Sequence, residues 1–312
     1  MKTLLKAVEI WSPKTLGVLA LDNAYYGDLI SFKERSEQMS FKLGEGLPGK
    51  VWHTFAAVAA ELKALRHFKR KGEAEEAGIG SCMALPVICG QELKSVVVMF
   101  FSNNAEDKGG VEVWENSKVD KEVLSLSSGA YNDLEHFKKL SKVINLPRNL
   151  GLPGICWAKQ QPYFKANLGD TYSSFLPDPN AQRAGLTDGV CIPLEKEKGL
   201  VQIVTLLSSH EAPIARQFEI WAVDNNTQKA QFRSGYSQIY PNLSGHYRDV
   251  QFSATDSAPL ATVLASSNAV VFYQPDYPGV LGANKTPLAS PCALYLPVFK
   301  QQLLQFIVVF YL

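Results

Sequence analysis

Short β-type runs, a tight glycine-proline turn, a stretch of helix formers and two long apolar runs follow one another along the chain. The whole series then recurs. The opening runs are VEIW (8–11), VEVW (111–114) and FEIW (218–221). The closing pairs are MALPVI with SVVVMFFS (95–102), VCIPLE with VQIVTLLSS (201–209), and LYLPVF with LLQFIVVFYL (303–312). Each first member holds one proline, at Pro86, Pro193 and Pro297. Between them, FKLGEGLPGKVW (41–52) returns as LPRNLGLPGICW (146–157), with Trp52 and Trp157 separated by 105 positions. Phe68, Ala74, Ala77 and Gly78 reappear as Phe175, Ala181, Ala184 and Gly185 at a constant offset of 107. A repeat at this period means tandem domains, not one large one.

Three units follow, spanning 1–104, 105–211 and 212–312. Each is long enough for an ordinary domain core. The third has diverged: Ala258 to Leu264 stands for the G-L-P-G-x-x-W segment, with Leu264 at the tryptophan position. Within unit 1, VEIW and GVLAL read as strands joined by the turn WSPKTLG, and DNAYYGDLISFKER as loop plus strand. In the turn before the helical stretch, Pro48 presets its backbone angle while Gly46 and Gly49 tolerate unusual ones. AAVAAELKALRHF (56–68) has strong helix formers at helical spacing. FKRKGEAEEAG ends in Ala-Gly, a helix stop. MALPVICG and LKSVVVMFFS form a hairpin around Gly90-Gln91-Glu92. SVVVMFF is too continuous for a half-exposed strand and predicts a central strand covered on both faces. The fold class is α+β, an antiparallel sheet with helical cover in each unit.

These pieces resemble the GAF domain family: the hairpin with W-x-P, the G-x-G-L-P-G-x-v-W turn, F-x-R-x-x-x-A-x-x-A-G, and the closing a-l-P-v…v-v-v-m-f-f-s hairpin. Unit 1 carries all of them, with Phe68, Arg70, Ala74, Ala77 and Gly78 on the middle motif. Unit 2 carries most, with Pro177 at the arginine position, and unit 3 is recognisable through its neighbours. The resemblance implies an antiparallel sheet of about six strands with a pocket between the sheet and its helices and loops. Members bind cyclic nucleotides, bilins, haem or small metabolites, or act only as dimerisation modules. It also implies that Val58 to Ala60 is a short strand, against its helical propensity. The segments joining the units, 103–110 and 210–217, leave no room for a long signalling helix, and nothing after Leu312 supplies an output domain.

Charge and chemistry narrow the reading. With 31 basic and 30 acidic side chains the net charge is +1, which gives no electrostatic case for nucleic acid or an anionic membrane. No apolar run approaches the roughly 20 residues of a membrane span. Lys6 and Glu9 interrupt the N-terminal apolar stretch, which makes a poor signal peptide. Five cysteines without C-x-x-C fit a reduced, cytoplasmic protein. The five histidines form no metal-ligand pattern, and no hydrolase or Walker-type motif occurs, so neither a metal site nor catalytic residues are expected. No cofactor is named by the sequence.

The expected function is a non-catalytic sensory or regulatory protein that takes a small molecule in unit 1 or 2, with unit 3 structural. Trp52, His53, Arg66, His67 and Arg70 are the candidate pocket residues of unit 1; Trp157, Tyr163 and Tyr172 are those of unit 2. The basic run Lys63 to Lys71 against Glu73, Glu75 and Glu76 reads most simply as a solvated helical face. Two alternatives stand. The apolar strand LLQFIVVFYL, if left at a sheet edge, would pair with another copy or with a separate signalling partner, making the protein an interaction or oligomerisation module. Cys82 and Cys89, flanking ALPVI, would serve a thiol-based reductase of the free methionine sulfoxide type.

Overall fold

The computed structural model describes residues 3–14, 17–168, 179–196, 199–237, 243–247, 249–273 and 292–312. Unit 1 runs β1 (Leu5–Lys14), β2 (Val18–Tyr25), α1 (Ile30–Glu37), β3 (Ser40–Lys42), α2 (Gly46–Thr54), β4 (Val58–Glu61), α3 (Lys71–Glu76), β5 (Ile79–Cys89) and β6 (Glu92–Ser102). Unit 2 continues with β7 (Gly109–Glu115), β8 (Val123–Asn132), α4 (Glu135–Ser141), β9 (Asn145–Pro147) and α5 (Gly151–Lys159). It closes with β10 (Tyr163–Lys165), α6 (Pro179–Arg183), β11 (Asp188–Glu195) and β12 (Val201–Ser208). Unit 3 has β13 (Gln217–Asp224), β14 (Lys229–Ser237), α7 (Leu243–His246), β15 (Gln251–Ser253) and α8 (Pro259–Ser266). Its remaining strands are β16 (Val270–Tyr273), β17 (Cys292–Lys300) and β18 (Leu303–Tyr311).

Each unit folds as one six-stranded sheet, in the order β3-β2-β1-β6-β5-β4 and its equivalents. Every strand pair is antiparallel. Three units of one sheet topology therefore stand in tandem, strand-rich and with short helices. The landmark prolines explain themselves here. The edge strands β4, β10 and β16 pair with the next strand only as far as Ala84, Cys191 and Tyr295. Pro86, Pro193 and Pro297 each lie two residues beyond, still paired on one side with Val96, Ile203 and Ile307 but past the end of the edge strand on the other, where the missing N–H is not needed.

The helices cover only one face of each sheet. The other faces meet at a common centre, one apolar cluster drawn from all three units. It includes Val8, Leu85 and Met99 from the first, Val113, Ile192 and Val204 from the second, and Ile220, Leu296 and Val308 from the third. Alternate residues of the same strands, such as Val98 and Phe100 on β6, enter the unit's own core beneath its helices. With side chains alternating across a strand, burial on both faces demands a continuous apolar run. That accounts for SVVVMFF and its counterparts.

The units join head to tail. In β4 of unit 1, the Ala59 N–H donates to Ser128 Oγ on β8 at 3.0 Å, and the neighbouring Ala57 N–H donates to Gln202 Oε1 on β12 at 2.8 Å. The equivalent edge of unit 3 turns to unit 1: the Val271 N–H donates to Asn23 Oδ1, and Tyr273 Oη to the Ala24 carbonyl at 2.7 Å. Between units 2 and 3, Phe164 on β10 packs on Phe218 and Tyr236, with ring centroids 4.5 and 5.0 Å apart. Unit 1 leans on 2, 2 on 3 and 3 on 1. This is a heterologous contact that closes after three steps, made within one chain.

Several expectations change. AAVAAELKALRHF is not a helix: Val58–Glu61 is strand, followed by a single 3-10 turn, Leu62–Ala64. Pairing with β5 and donation to unit 2 outweigh the alanine propensity. DNAYYGDLISFKER ends in a helix, α1, which buries Phe32. Gly49 has no unusual backbone angle. Its role is closeness, since a Cβ there would stand 2.1 Å from the Lys42 carbonyl oxygen, as one on Gly154 would stand 2.4 Å from that of Pro147. The C-terminal β18 is no edge strand, lying between β13 and β17.

Two outcomes are expected. The variant Gln202→Ala strands the buried Ala57 N–H and should cost about 1–3 kcal/mol in urea unfolding. Unit 1 expressed alone, as residues 1–104, should self-associate or precipitate, because its inner sheet face is exposed. A monomeric, folded fragment in light scattering would contradict the shared centre.

Candidate functional site

Each unit is built around a buried glutamate. In E-I-W, E-V-W and E-I-W, the glutamate and tryptophan are two residues apart on one strand and so share the helix-covered face. The indole N–H of Trp11, Trp114 and Trp221 donates to Glu9, Glu112 and Glu219 at 2.9, 2.9 and 2.8 Å. A tyrosine hydroxyl closes each cluster: Tyr26 to Glu9 at 2.9 Å, Tyr131 to Glu112 at 2.7 Å and Tyr247 to Glu219 at 2.7 Å. Burial pushes all three phenols far above their ordinary value, and the adjoining carboxylate adds to the rise. They therefore remain donors at any ordinary pH. The sequence signal was a carboxylate recurring at one position of three otherwise apolar strands.

Unit 1 adds a cation. Arg70, 2 % exposed, forms an ion pair with the fully buried Glu9 through two nitrogens and also donates to Ser36 Oγ. Its guanidinium lies 4.5 Å from the Phe32 ring centroid, with Phe68 and Phe100 also close. It was expected on a solvated helical face, but it turns inward at the end of the Leu65–Arg70 loop.

Beside this cluster lies a cavity of about 260 Å³, between the sheet, α2 and that loop. Its walls are apolar, with Phe41, Leu47, Val58, Phe68, Val98 and Phe100. Its polar side chains are Lys50, Arg66, His67, Lys69 and Arg70; no carboxylate lines it. Arg66 and His67 are exposed at the rim. Lys69 pairs outward with Glu45 at 2.6 Å. The Arg70 Nε–H is buried and has no acceptor among the described residues.

The cavity thus brings together Arg66, His67 and Arg70 of the expected residues. Trp52 is half-buried and packs in the unit 1 core without lining the cavity, and His53 is exposed on α2. Unit 2 has a second cavity, of about 230 Å³, lined by Glu112, Trp114, Asn149, Lys165, Asn180 and Thr205 among others. Trp157 and Tyr163 do not line it. Trp157 is 1 % exposed and capped by the Arg148 guanidinium 4.0 Å away. Tyr163 sits on β10 beneath the Lys159 ammonium at 4.4 Å. Tyr172 lies outside the described residues. In unit 3, Trp221 meets Phe232, Tyr247 and Phe252 edge-on with centroids 5.4–5.5 Å apart, and Phe232 lies tilted against Tyr247 at 4.7 Å. Phe41, Leu47 and Phe100 were not among the expected pocket residues, although the alternation along β6 already placed Phe100 on the helix side.

Cys82 and Cys89 lie seven residues apart on one extended strand, about 23 Å by strand rise, so they cannot form a dithiol pair. Burial pushes the Cys82 thiol up to about 12. Among the described residues no group of His, Cys, Asp and Glu is placed to hold a metal ion. No helix there is long and apolar enough to cross a membrane.

The Glu219 carboxyl tests the buried clusters. Burial lifts its pKa, while hydrogen bonds from Tyr247, Trp221, Gln217 and Tyr311 pull it back. A carboxyl whose pKa is higher folded than unfolded stabilises fully below its unfolded value. That contribution declines as pH rises towards the folded value. In Glu219→Gln this decline is removed, so urea-unfolding stability should fall less steeply between about pH 4 and pH 7 than in the wild-type chain.

No protein-family model and no curated protein matches the sequence. Among solved structures, the chain is similar over about one unit's length to the GAF domain of A. Aeolicus nlh2 in an inactive state. That match has 22% identity and a TM-score of 0.26, covering 31% of this chain and 58% of that one. It is also similar to the GAF domain from a phosphoenolpyruvate-protein phosphotransferase of Coxiella burnetii. There the identity is 19% and the TM-score 0.27, covering 31% of this chain and 57% of that one. The chain spans less than two thirds of either of these chains.

Proposed function

We propose that this protein is a non-catalytic sensory or regulatory protein whose unit 1 takes a small molecule in the cavity between sheet, α2 and the Leu65–Arg70 loop. The observation that carries the reading is the cavity itself, a concave, aromatic-walled space with a few convergent polar groups. Its volume suits a ligand of about a dozen heavy atoms and is too small for a tetrapyrrole.

Occupancy has a route outward. Val58 lines the cavity and belongs to β4, the strand that docks on unit 2. At the end of the same strand, Glu61 accepts a hydrogen bond from Lys138 of unit 2 at 2.5 Å. A ligand that shifts β4 acts directly on the joint between the two units. The unit 2 cavity is a second binding place of different chemistry, since the carboxylate of Glu112 lines it and no arginine occupies the position of Arg70.

Native mass spectrometry of the purified chain should show a retained small molecule. In a thermal-shift screen of metabolites, a ligand at about 100 times its Kd should add about 2.7 kcal/mol of stability. Leu47→Trp, which fills the cavity, should abolish that shift while leaving the chain folded. Empty spectra with no shift from any compound would overturn the reading.

A further inference from the structure

The chemistry of the unit 1 cavity is one-sided. Five of its lining side chains are basic or imidazole, and none is acidic. The nearby carboxylates are already engaged: Glu9 holds Arg70 and Glu45 holds Lys69. Lys50, Arg66 and His67 have no partner among the described residues. In the interior, Arg70 is committed to Glu9 and Ser36 and forms part of the cavity wall. Next to it stand the rings of Phe68 and Phe100, with Phe41 and Leu47 also on the wall.

We infer that the ligand of unit 1 is a small organic anion, a flat apolar body carrying a carboxylate or phosphate group; the inference rests on the proposal that this cavity binds at all. The apolar body lies among Phe41, Leu47, Phe68 and Phe100. The anionic group lies at the basic rim, where Lys50 and Arg66 draw it in. A cationic ligand would meet only like charge, and a neutral one would leave the rim charges unanswered. Arg70 is also the structural partner of Glu9, so its removal leaves a buried carboxylate behind and does not report cleanly on binding. Lys50 and Arg66 are exposed, and their removal leaves the core intact.

A matched series of one ring with four substituents decides the question: phenyl phosphate, benzoate, benzamide and benzylamine. They are titrated into the full chain at low ionic strength by ligand-observed NMR, with Leu47→Trp as the control for the site. Phenyl phosphate and benzoate should bind at least about tenfold more tightly than benzamide, and benzylamine should not bind. The double variant Lys50→Ala/Arg66→Ala should weaken the anions about two- to fivefold per charge removed and leave benzamide unchanged. Raising the salt concentration should weaken the anions alone. If benzamide or benzylamine binds as well as benzoate and Leu47→Trp abolishes both, the anion class is wrong while the cavity remains a binding site. If no member of the series binds, the anion class is overturned, while the cavity's role as a binding site stands or falls on the native mass spectra and the metabolite screen.

Discussion

Three sheets share one apolar centre, and every other feature of the chain answers to it. A sheet with helices on one side has a second face to bury. Here each second face is buried by the other two sheets, so the unit of stability is the ring and not the repeat. The consequences reach down to sequence. Central strands carry long apolar runs, because both of their faces are dry, and their buried polar side chains such as Glu9, Glu112 and Glu219 are hydrogen-bonded. Edge strands are short, and at β4 and β16 backbone N–H groups are met by side chains of the neighbouring unit, Ala57 and Ala59 by Gln202 and Ser128 and Val271 by Asn23. In this ring the edge of unit 1 is met by unit 2 and that of unit 3 by unit 1, which takes those edges out of pairing with another chain. The apolar C-terminal strand is consumed within the ring.

On the outer side of each sheet the units had room to diverge. All three keep a carboxylate beneath the helices, satisfied by an indole and a phenol from their own unit. Such a group is tolerable only when its hydrogen bonds are complete. Unit 1 neutralises it with Arg70, and that arginine also frames a cavity. In unit 3 two donors to the carboxylate, Trp221 and Tyr247, meet edge-to-face, with Phe232 tilted against Tyr247. One scaffold thus carries a basic-lined cavity and a cavity with a carboxylate on its wall.

The repeat made much of the fold legible. The E-x-W strands, the proline-bearing strands and the final apolar runs all have equivalents in the three sheets. The hairpin around Gly90-Gln91 and the helix stop at Ala77-Gly78 also follow from local chemistry. Local chemistry misled where tertiary contacts prevailed. Val58–Glu61 has helical propensity but serves as an edge strand, because another unit supplies acceptors for the N–H groups at Ala57 and Ala59. Arg70 sits in a basic run that looks solvated, yet its partner Glu9 lies 61 positions away. No periodicity reports a contact of that kind. Trp52 and Trp157 drew notice as repeated aromatics, while the cavity wall is made by Phe41, Phe68 and Phe100, which no single motif groups together.

The shared centre is most directly tested by native-state hydrogen exchange on β6, β12 and β18, the strands in the middle of the three sheets. If the ring is the cooperative unit, their slowest amides will exchange through one common opening, with equal free energies and equal dependence on denaturant. If the amides of one sheet exchange through a separate opening of much lower free energy while the other two stay protected, the units are independent domains and the account is wrong.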